Sequence, residues 1–375
     1  MNKTRIIAAG VVLLAVSALL QREFTRGSLD AVERAFVGWL AANGNAGRSL
    51  PPLAVILYDE TASSVAGAER MGALDVALFA RAAARVGAIA AGVENLPGDP
   101  ARMIEAAGGM PLFGGYGLDK APATGWTPWA GTPDPGWQEL PGLVGPASTR
   151  FPRGFFTAPD GASGPRSVLL AARNTDRAVP SFLALSWAAS LRSRVEPPRV
   201  ESGWLHCGKR KLPLDSLGRA NFFPAAPAVI MGMNELLVAS EKYEREGGQP
   251  PLARHIVVLA RATPEVTRVK DSSTALAATP IELWAQTWHA LRLGRLFLLP
   301  GWWYAALLAI AAFALYFCVK PRSWLGLIGT AALTLFIYLL AALASFASQG
   351  LLLPFVPSIG TLLAGLVLGR VLPRS

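Results

Sequence analysis

Few residues in this chain have the type and spacing to do chemistry. Asp59 and Glu60 close an apolar run, LAVILYDE (Leu53 to Glu60), and Glu94 closes another, Ala88 to Glu94. If both runs are buried parallel strands, the three acids fall on the carboxyl edge of one sheet, where α/β folds bind ligands. Carboxylates gathered there would bind a cation or accept protons; as solvated strand ends or helix caps they would do neither. Asp59, Glu60 and Glu94 are the candidate ligand-binding residues, and no catalytic or metal-ligating residue is assigned. His206 and Cys207 are adjacent, so on a strand they point to opposite faces, and no second pair stands at a ligand spacing. His289 shares a helical pattern with Trp284 and Trp288 and reads as packing, while His255 opens a strand without a partner in sequence. Lys209, Arg210 and Lys211 read most simply as a solvated hairpin tip, with contact to anionic lipid or cell-wall polymer as the sharper alternative.

Recognised enzyme and cofactor signatures are missing. The glycine-rich segment GGMPLFGGYG (Gly108 to Gly117) does not have the GxGxxG order after a strand, and neither a serine elbow nor a phosphate loop occurs. The expectation is a protein without enzymatic activity and with no cofactor. Its two cysteines, Cys207 in a polar region and Cys318 in an apolar one, do not make a disulfide framework.

The elements that would hold the acids alternate. An amphipathic helix is predicted over Leu29 to Ala42, then the strand Leu53 to Glu60, a helix over residues 73–86 closed by Gly87, and the strand Ala88 to Glu94. This order reads as a right-handed parallel strand–helix–strand unit, with Glu94 closing the strand that neighbours Leu53 to Glu60. A further helix is expected over Asp99 to Gly108, and residues 118–150, rich in Gly, Pro and Trp, read as an ordered loop. Strands at Arg153 to Thr157 and Ser167 to Leu170 flank APDGASGPR and suggest a hairpin with Asp160 and Gly161 at its tip. A helix over Pro180 to Ser193, two short strands around Gly208, a strand at Gly218 to Phe223, a core strand at His255 to Ala260 and a helix over residues 281–293 complete a mixed α/β domain.

Composition says where that domain sits. Of the 375 residues, 52% are apolar and 16% charged, against ~45–50% and ~25% in ordinary soluble domains. Residues 1–21 and 300–375 contain no Asp or Glu. Six of the 35 basic residues flank apolar runs, leaving 29 against 25 acidic residues in the middle, so the net charge of +10 is no sign of nucleic-acid binding. The apolar run at residues 6–20 reads as a transmembrane anchor, or as a signal peptide with a small-residue site at Val16, Ser17 and Ala18. Three more runs, at residues 301–319, 324–347 and 351–369, read as transmembrane helices, with Trp302, Trp303, Tyr304 and Trp324 at their ends as interfacial anchors. Pro354 and Pro357 suit the first turn of the last helix. Small residues such as Gly326, Gly329, Ala331, Ala332, Ala341, Ala342 and Ala344 would permit close helix packing.

Lys3, Arg5, Lys320, Arg322, Arg370 and Arg374 all fall on one side if the four runs cross alternately. Both termini are then cytoplasmic, in a bacterial inner membrane, with the domain at residues 22–299 exported to the periplasm and a short tail at residues 372–375. The runs contain no ionisable charge, which argues against a transporter.

The order LAVILYDE, ARAAARVGAIAAGVENL, the APDG turn with Arg166 behind it, LPLDSLGRANF, and the segment from His255 to Phe297 resembles the second type of the CHASE family of extracellular sensory domains. The chain departs from that pattern with Glu94 in place of Asp, Ala260 in place of Gly, and Pro280 and Trp284 in place of Gly and His. The resemblance implies an N-terminal anchor, an exported sensory domain and three closely spaced spans. That family normally carries a cytoplasmic output domain, so the expectation here is a sensory or ligand-binding protein that signals through a separate membrane or cytoplasmic partner, with self-association into a homo-oligomer allowed. The alternative expectation is a non-catalytic structural subunit of an envelope complex.

Overall fold

The structure, a computed structural model, describes residues 3–44, 50–58, 72–94, 101–117, 126–140, 151–157, 159–160, 164–191, 198–223, 229–261, 280–318 and 323–371. Two helices open the chain: α1 (Lys3–Thr25) and α2 (Asp30–Gly44). The α/β unit follows with β1 (Leu53–Tyr58), α3 (Ala73–Arg85), β2 (Ala90–Val93), α4 (Ala101–Ala106), β3 (Leu112–Gly117) and β4 (Arg153–Phe156). After these come β5 (Arg166–Leu169), β6 (Ala171–Asn174), β7 (Arg177–Pro180), α5 (Phe182–Leu191), β8 (Arg199–Glu201), β9 (Trp204–Cys207), β10 (Arg210–Pro213) and β11 (Arg219–Phe222). Last in the unit are β12 (Val229–Gly232), α6 (Met233–Glu246), β13 (Ile256–Arg261) and α7 (Pro280–Arg292). The chain ends in α8 (Trp303–Cys318), α9 (Trp324–Gln349) and α10 (Phe355–Val371).

The core is a six-stranded sheet in the order β12-β1-β13-β2-β3-β4, parallel throughout. Its central strands are apolar on both faces because both are covered. Val55, Ala90, Phe113 and Val258 face α5, α7 and the antiparallel strands. Ala54, Ile56, Val93 and Leu259 face α3, α4 and α6. Alternation along each strand thus feeds two separate cores in a mixed α/β architecture.

Four expectations need correction. The strands β1 and β2 do not adjoin, since β13 lies between them and pairs with both; a strand from the far end of the chain fits there because its IVVLA run is apolar on both faces. The glycine-rich segment near residue 112 contains a core strand, β3, that the alternation of residue types does not reveal. A Cβ on Gly114 would lie 2.7 Å from the Phe151 ring, and one on Gly92 would lie 2.2 Å from the Phe113 ring. The glycines make room for aromatic rings that pack onward, Phe113 on Phe182 at 5.1 Å and Phe182 on Trp284 at 5.3 Å between centroids. The hairpin expected around Asp160 does not form as one sheet: β4 is a parallel edge strand beside β3, and β5 pairs with β11. Among the described residues Asp160 and Ser167 keep an antiparallel bridge, and Gly161 lies outside them. The two short strands around Gly208 are present as β9 and β10, with Gly208 at φ 58° in the turn.

The fourth correction concerns the apolar helices. Among the described residues two are long and apolar enough to cross a membrane: residues Ile6–Thr25 within α1, and α9. Among the described residues the expected three C-terminal spans reduce to one, because the described helices α8 and α10 have 16 and 17 residues, or about 24–26 Å at 1.5 Å per residue. The last run loses its first residues to extended backbone, where Leu351 bridges Leu298, and the helix begins only after Pro354. Helices α1, α8 and α10 pack together, and α9 lies against α10 and α2. A close approach in this bundle uses Gly365, where a Cβ would lie 2.3 Å from the Ala312 carbonyl oxygen. Of the small residues expected to mediate packing, Ala342 is buried, whereas Gly326, Gly329, Ala332, Ala341 and Ala344 are exposed.

Candidate functional site

At the carboxyl edge of the sheet, Glu94 follows β2 and the described part of β1 ends at Tyr58. Asp59 and Glu60 lie outside the described residues. The ends of β1 and β2 are separated by β13, two strand spacings or about 10 Å. What adjoins Glu94 is Arg261, the last residue of β13, whose backbone N–H donates to a Glu94 carboxylate oxygen at 3.3 Å. Burial pushes the Glu94 carboxyl up to about 7, against the lowering by the Arg261 N–H and charge. A carboxyl held there exchanges a proton near neutral pH, which a solvated strand end would not do.

The remaining candidates are packed. Cys207 is buried, with its thiol pushed up to about 11 by that burial, and His206 sits half-buried on the opposite face of β9. Burial holds His289 below the usual imidazole range, helped by the nearby charges of Arg292 and Arg295. Among the described residues, no group of three or more His, Cys, Asp or Glu side chains could hold a metal ion.

A second constellation joins the α/β unit to the bundle, and sequence reading missed it. Helix α2 is amphipathic, but its buried stripe of Phe36, Val37, Leu40 and Ala41 includes one acid, Glu33. That residue is 0% exposed. Its carboxylate accepts the backbone N–H of Phe355 at 2.9 Å and of Val356 at 2.7 Å, the first residues of α10. The first turn of a helix leaves its N–H groups without acceptors. Here Pro357 has no N–H, and the Ser358 N–H reaches the Pro354 carbonyl at 3.3 Å. The two oxygens of Glu33 therefore meet the remaining donors, and they place negative charge at the positive end of the helix dipole.

Burial nevertheless dominates the proton affinity of Glu33. Its carboxyl is pushed up to about 6, lowered by the two N–H groups and raised again by Asp30. Around it the Tyr304 and Ser358 hydroxyls are 2.7 Å apart, and the Tyr338 hydroxyl donates to the Leu353 carbonyl at 2.6 Å. Phe36 stacks on Tyr338 and lies 4.9 Å from Phe355 between ring centroids. The signal in the sequence was a lone acid at the helical spacing of Leu29, Phe36 and Val37, where an apolar residue belongs.

A short extended connector strengthens the same junction. Phe297 pairs with Asn221 of β11, the N–H to O distances being 2.6 and 2.8 Å. The next residue, Leu298, donates to the Gly350 carbonyl at 2.7 Å and accepts from the Leu352 N–H at 2.9 Å. One dipeptide thus ties a strand of the α/β unit to the turn between α9 and α10. No family model, curated protein or solved structure matches this chain.

Proposed function

We propose that this chain is a membrane-anchored, non-catalytic sensory or ligand-binding protein whose α/β domain lies outside the cytoplasm and whose state passes through the helical bundle to a separate partner. The observation that carries this reading is the Glu33 clasp. A carboxylate of the domain's first helix supplies the N-terminal hydrogen bonds of the last apolar helix, so a movement of α2 breaks or remakes the start of α10. The Phe297–Leu298 connector provides a second route, and a proton-exchanging Glu94 at the sheet edge provides a place for ligand charge to act. The motif order that resembles the second CHASE type supports the sensory reading.

Support for the orientation comes from charge and from packing. Lys3 and Arg5 precede the first long apolar helix and no acidic residue lies before residue 22, so the positive-inside rule puts the N-terminus in the cytoplasm and the segment after α1 outside it. Ser17, inside the possible cleavage site, is buried and donates to the Ala305 carbonyl of α8 at 2.8 Å, which favours a retained anchor over a removed signal. A bacterial inner membrane with both termini cytoplasmic fits these facts.

The orientation is tested with Lys209→Cys, at an exposed hairpin position, and a membrane-impermeant maleimide applied to intact cells; labelling only after lysis refutes it. The role is tested by deleting the gene and scoring envelope responses while capturing the full chain in mild detergent. Unchanged responses together with purification as a solitary monomer sink the sensor. A stoichiometric assembly that forms regardless of ligand favours the second reading, a structural subunit of an envelope complex, which the exposed face of α9 supports.

A further inference from the structure

We propose that the notch between the β9–β10 hairpin and the C-terminal end of α9 binds the headgroup of an anionic phospholipid, whose acyl chain lies along α9. The proposal rests on the membrane-embedded reading above.

The hairpin is seated on the end of α9. Gly350, left-handed at φ 66° as the helix cap, has no room for a Cβ, because one would lie 2.7 Å from the Pro213 ring. Between hairpin, helix end and the residues after α7 is a cavity of about 50 Å³ lined by Trp204, Lys211, Leu296, Phe346 and Ala347 among others. A water needs about 10–15 Å³ of such space, so the cavity holds only a few heavy atoms and admits part of a headgroup and not an acyl chain.

Charge at the rim is of one sign. The Lys211 ammonium lies 3.9 Å from the Trp204 ring centroid and 3.4 Å from the Ser348 carbonyl oxygen, leaving donors for a phosphate oxygen. Lys209, exposed at the hairpin tip, adds a second cation. No acidic residue lines the cavity, and the nearby Glu201 is paired with Arg199 at 3.2 Å.

The helix supplies the apolar half of the site. At 100° per residue, Leu333, Phe336, Leu340 and Ala347 share one face of α9, and all four are exposed. This stripe runs about 21 Å from the notch, longer than half of the ~30 Å hydrocarbon core. An acyl chain from a headgroup held at Lys211 meets that stripe at the depth where chains lie. An apolar stripe continuous with a cationic notch at the helix end fits a lipid better than a free anion, which would have no use for the stripe.

The test uses the full chain. Alkaline carbonate extraction of membranes comes first; release of the chain overturns both the membrane reading and this site. With the chain retained, native mass spectrometry of detergent-purified protein is run with dioleoyl phosphatidylglycerol and dioleoyl phosphatidylcholine at equal concentration. Preferential retention of phosphatidylglycerol is expected, reduced about tenfold or more in Lys209→Gln/Lys211→Gln, with no competition from millimolar glycerol phosphate. Phe336→Ser, away from the charges, is expected to weaken retention of both lipids. Equal retention of the two lipids by the wild type, or undiminished phosphatidylglycerol retention by the double variant, overturns this proposal and leaves the membrane reading standing; full competition by glycerol phosphate does the same by reducing the notch to an anion site.

Discussion

Replacing Glu33 probes the junction most directly, and two opposing effects can be weighed. The Glu33 carboxyl titrates at about 6 in the folded chain against an ordinary 4.5. A carboxyl raised on folding holds more protons in the folded state than in the unfolded one. Stability is therefore greatest below about pH 4.5, falls as the pH rises towards 6, and is flat above that. At ~1.4 kcal/mol for each tenfold change in proton affinity, the fall is about 2 kcal/mol. Glu33→Gln cannot ionise, so it escapes this fall, but its amide group faces one of the two N–H donors and leaves that donor buried without an acceptor, at about 1–3 kcal/mol. The two effects nearly cancel at pH 7. At pH 4.5 only the cost remains, so the stability difference between wild type and Glu33→Gln should change by about 2 kcal/mol between the two pH values. Glu33→Ala strands both donors and should lose about 2–5 kcal/mol at pH 4.5 and about 2 kcal/mol less at pH 7, since alanine escapes ionisation as well. The assay is denaturant titration in detergent followed by tryptophan fluorescence, with hydrogen exchange at the Phe355 and Val356 amides as the local readout. Glu94 titrates in the same range but is common to both proteins and drops out of the difference. A wild-type minus Gln difference that does not vary with pH, or unchanged exchange at those amides, refutes the clasp.

Other outcomes follow from the same geometry. Glu94→Gln should remove the pH dependence of stability above pH 6, where Glu94 still titrates towards its value of about 7, and an unaltered slope between pH 6 and 7.5 argues against a buried carboxyl there. Gly114→Ala should cost roughly 1–3 kcal/mol by forcing the Phe151 ring aside, with Gly329→Ala, which meets nothing within 4 Å, as the silent control; equal melting of the two variants means the ring has room. In a Cys318→Ser background, Cys207 should resist alkylation at pH 8 until the chain is unfolded, because it is buried with its thiol held at about 11; rapid labelling of the native chain contradicts that burial.

Reading the sequence recovered what local patterns encode. The α2, α3 and α7 helices were visible from apolar spacing, with Gly87 and Gly294 closing the latter two, and the LAVILY run was visible as a strand covered on both faces. Pro354 and Pro357 correctly marked the start of the last helix, since a residue lacking an N–H costs least in the first turn. The candidate site was half legible. Glu94 was picked for its place at a strand end, but its neighbour Arg261 depends on β13 entering the middle of the sheet, and strand order is not written in any window of residues.

The same division runs through the whole molecule. By itself the sequence determined the kind of elements such as α2, α3, α7 and β1, the apolar character of the first and last segments and the charge asymmetry along the chain, because each is set by residues within a few positions of one another. Tertiary structure alone decided that β13 separates β1 from β2, that a glycine-rich stretch becomes a core strand, and that Glu33 reaches a helix 322 residues away. Those outcomes depend on which distant surfaces meet. A glycine is a good strand residue only when a ring needs its space, and a buried acid is tolerated only when N–H donors arrive from elsewhere in the fold.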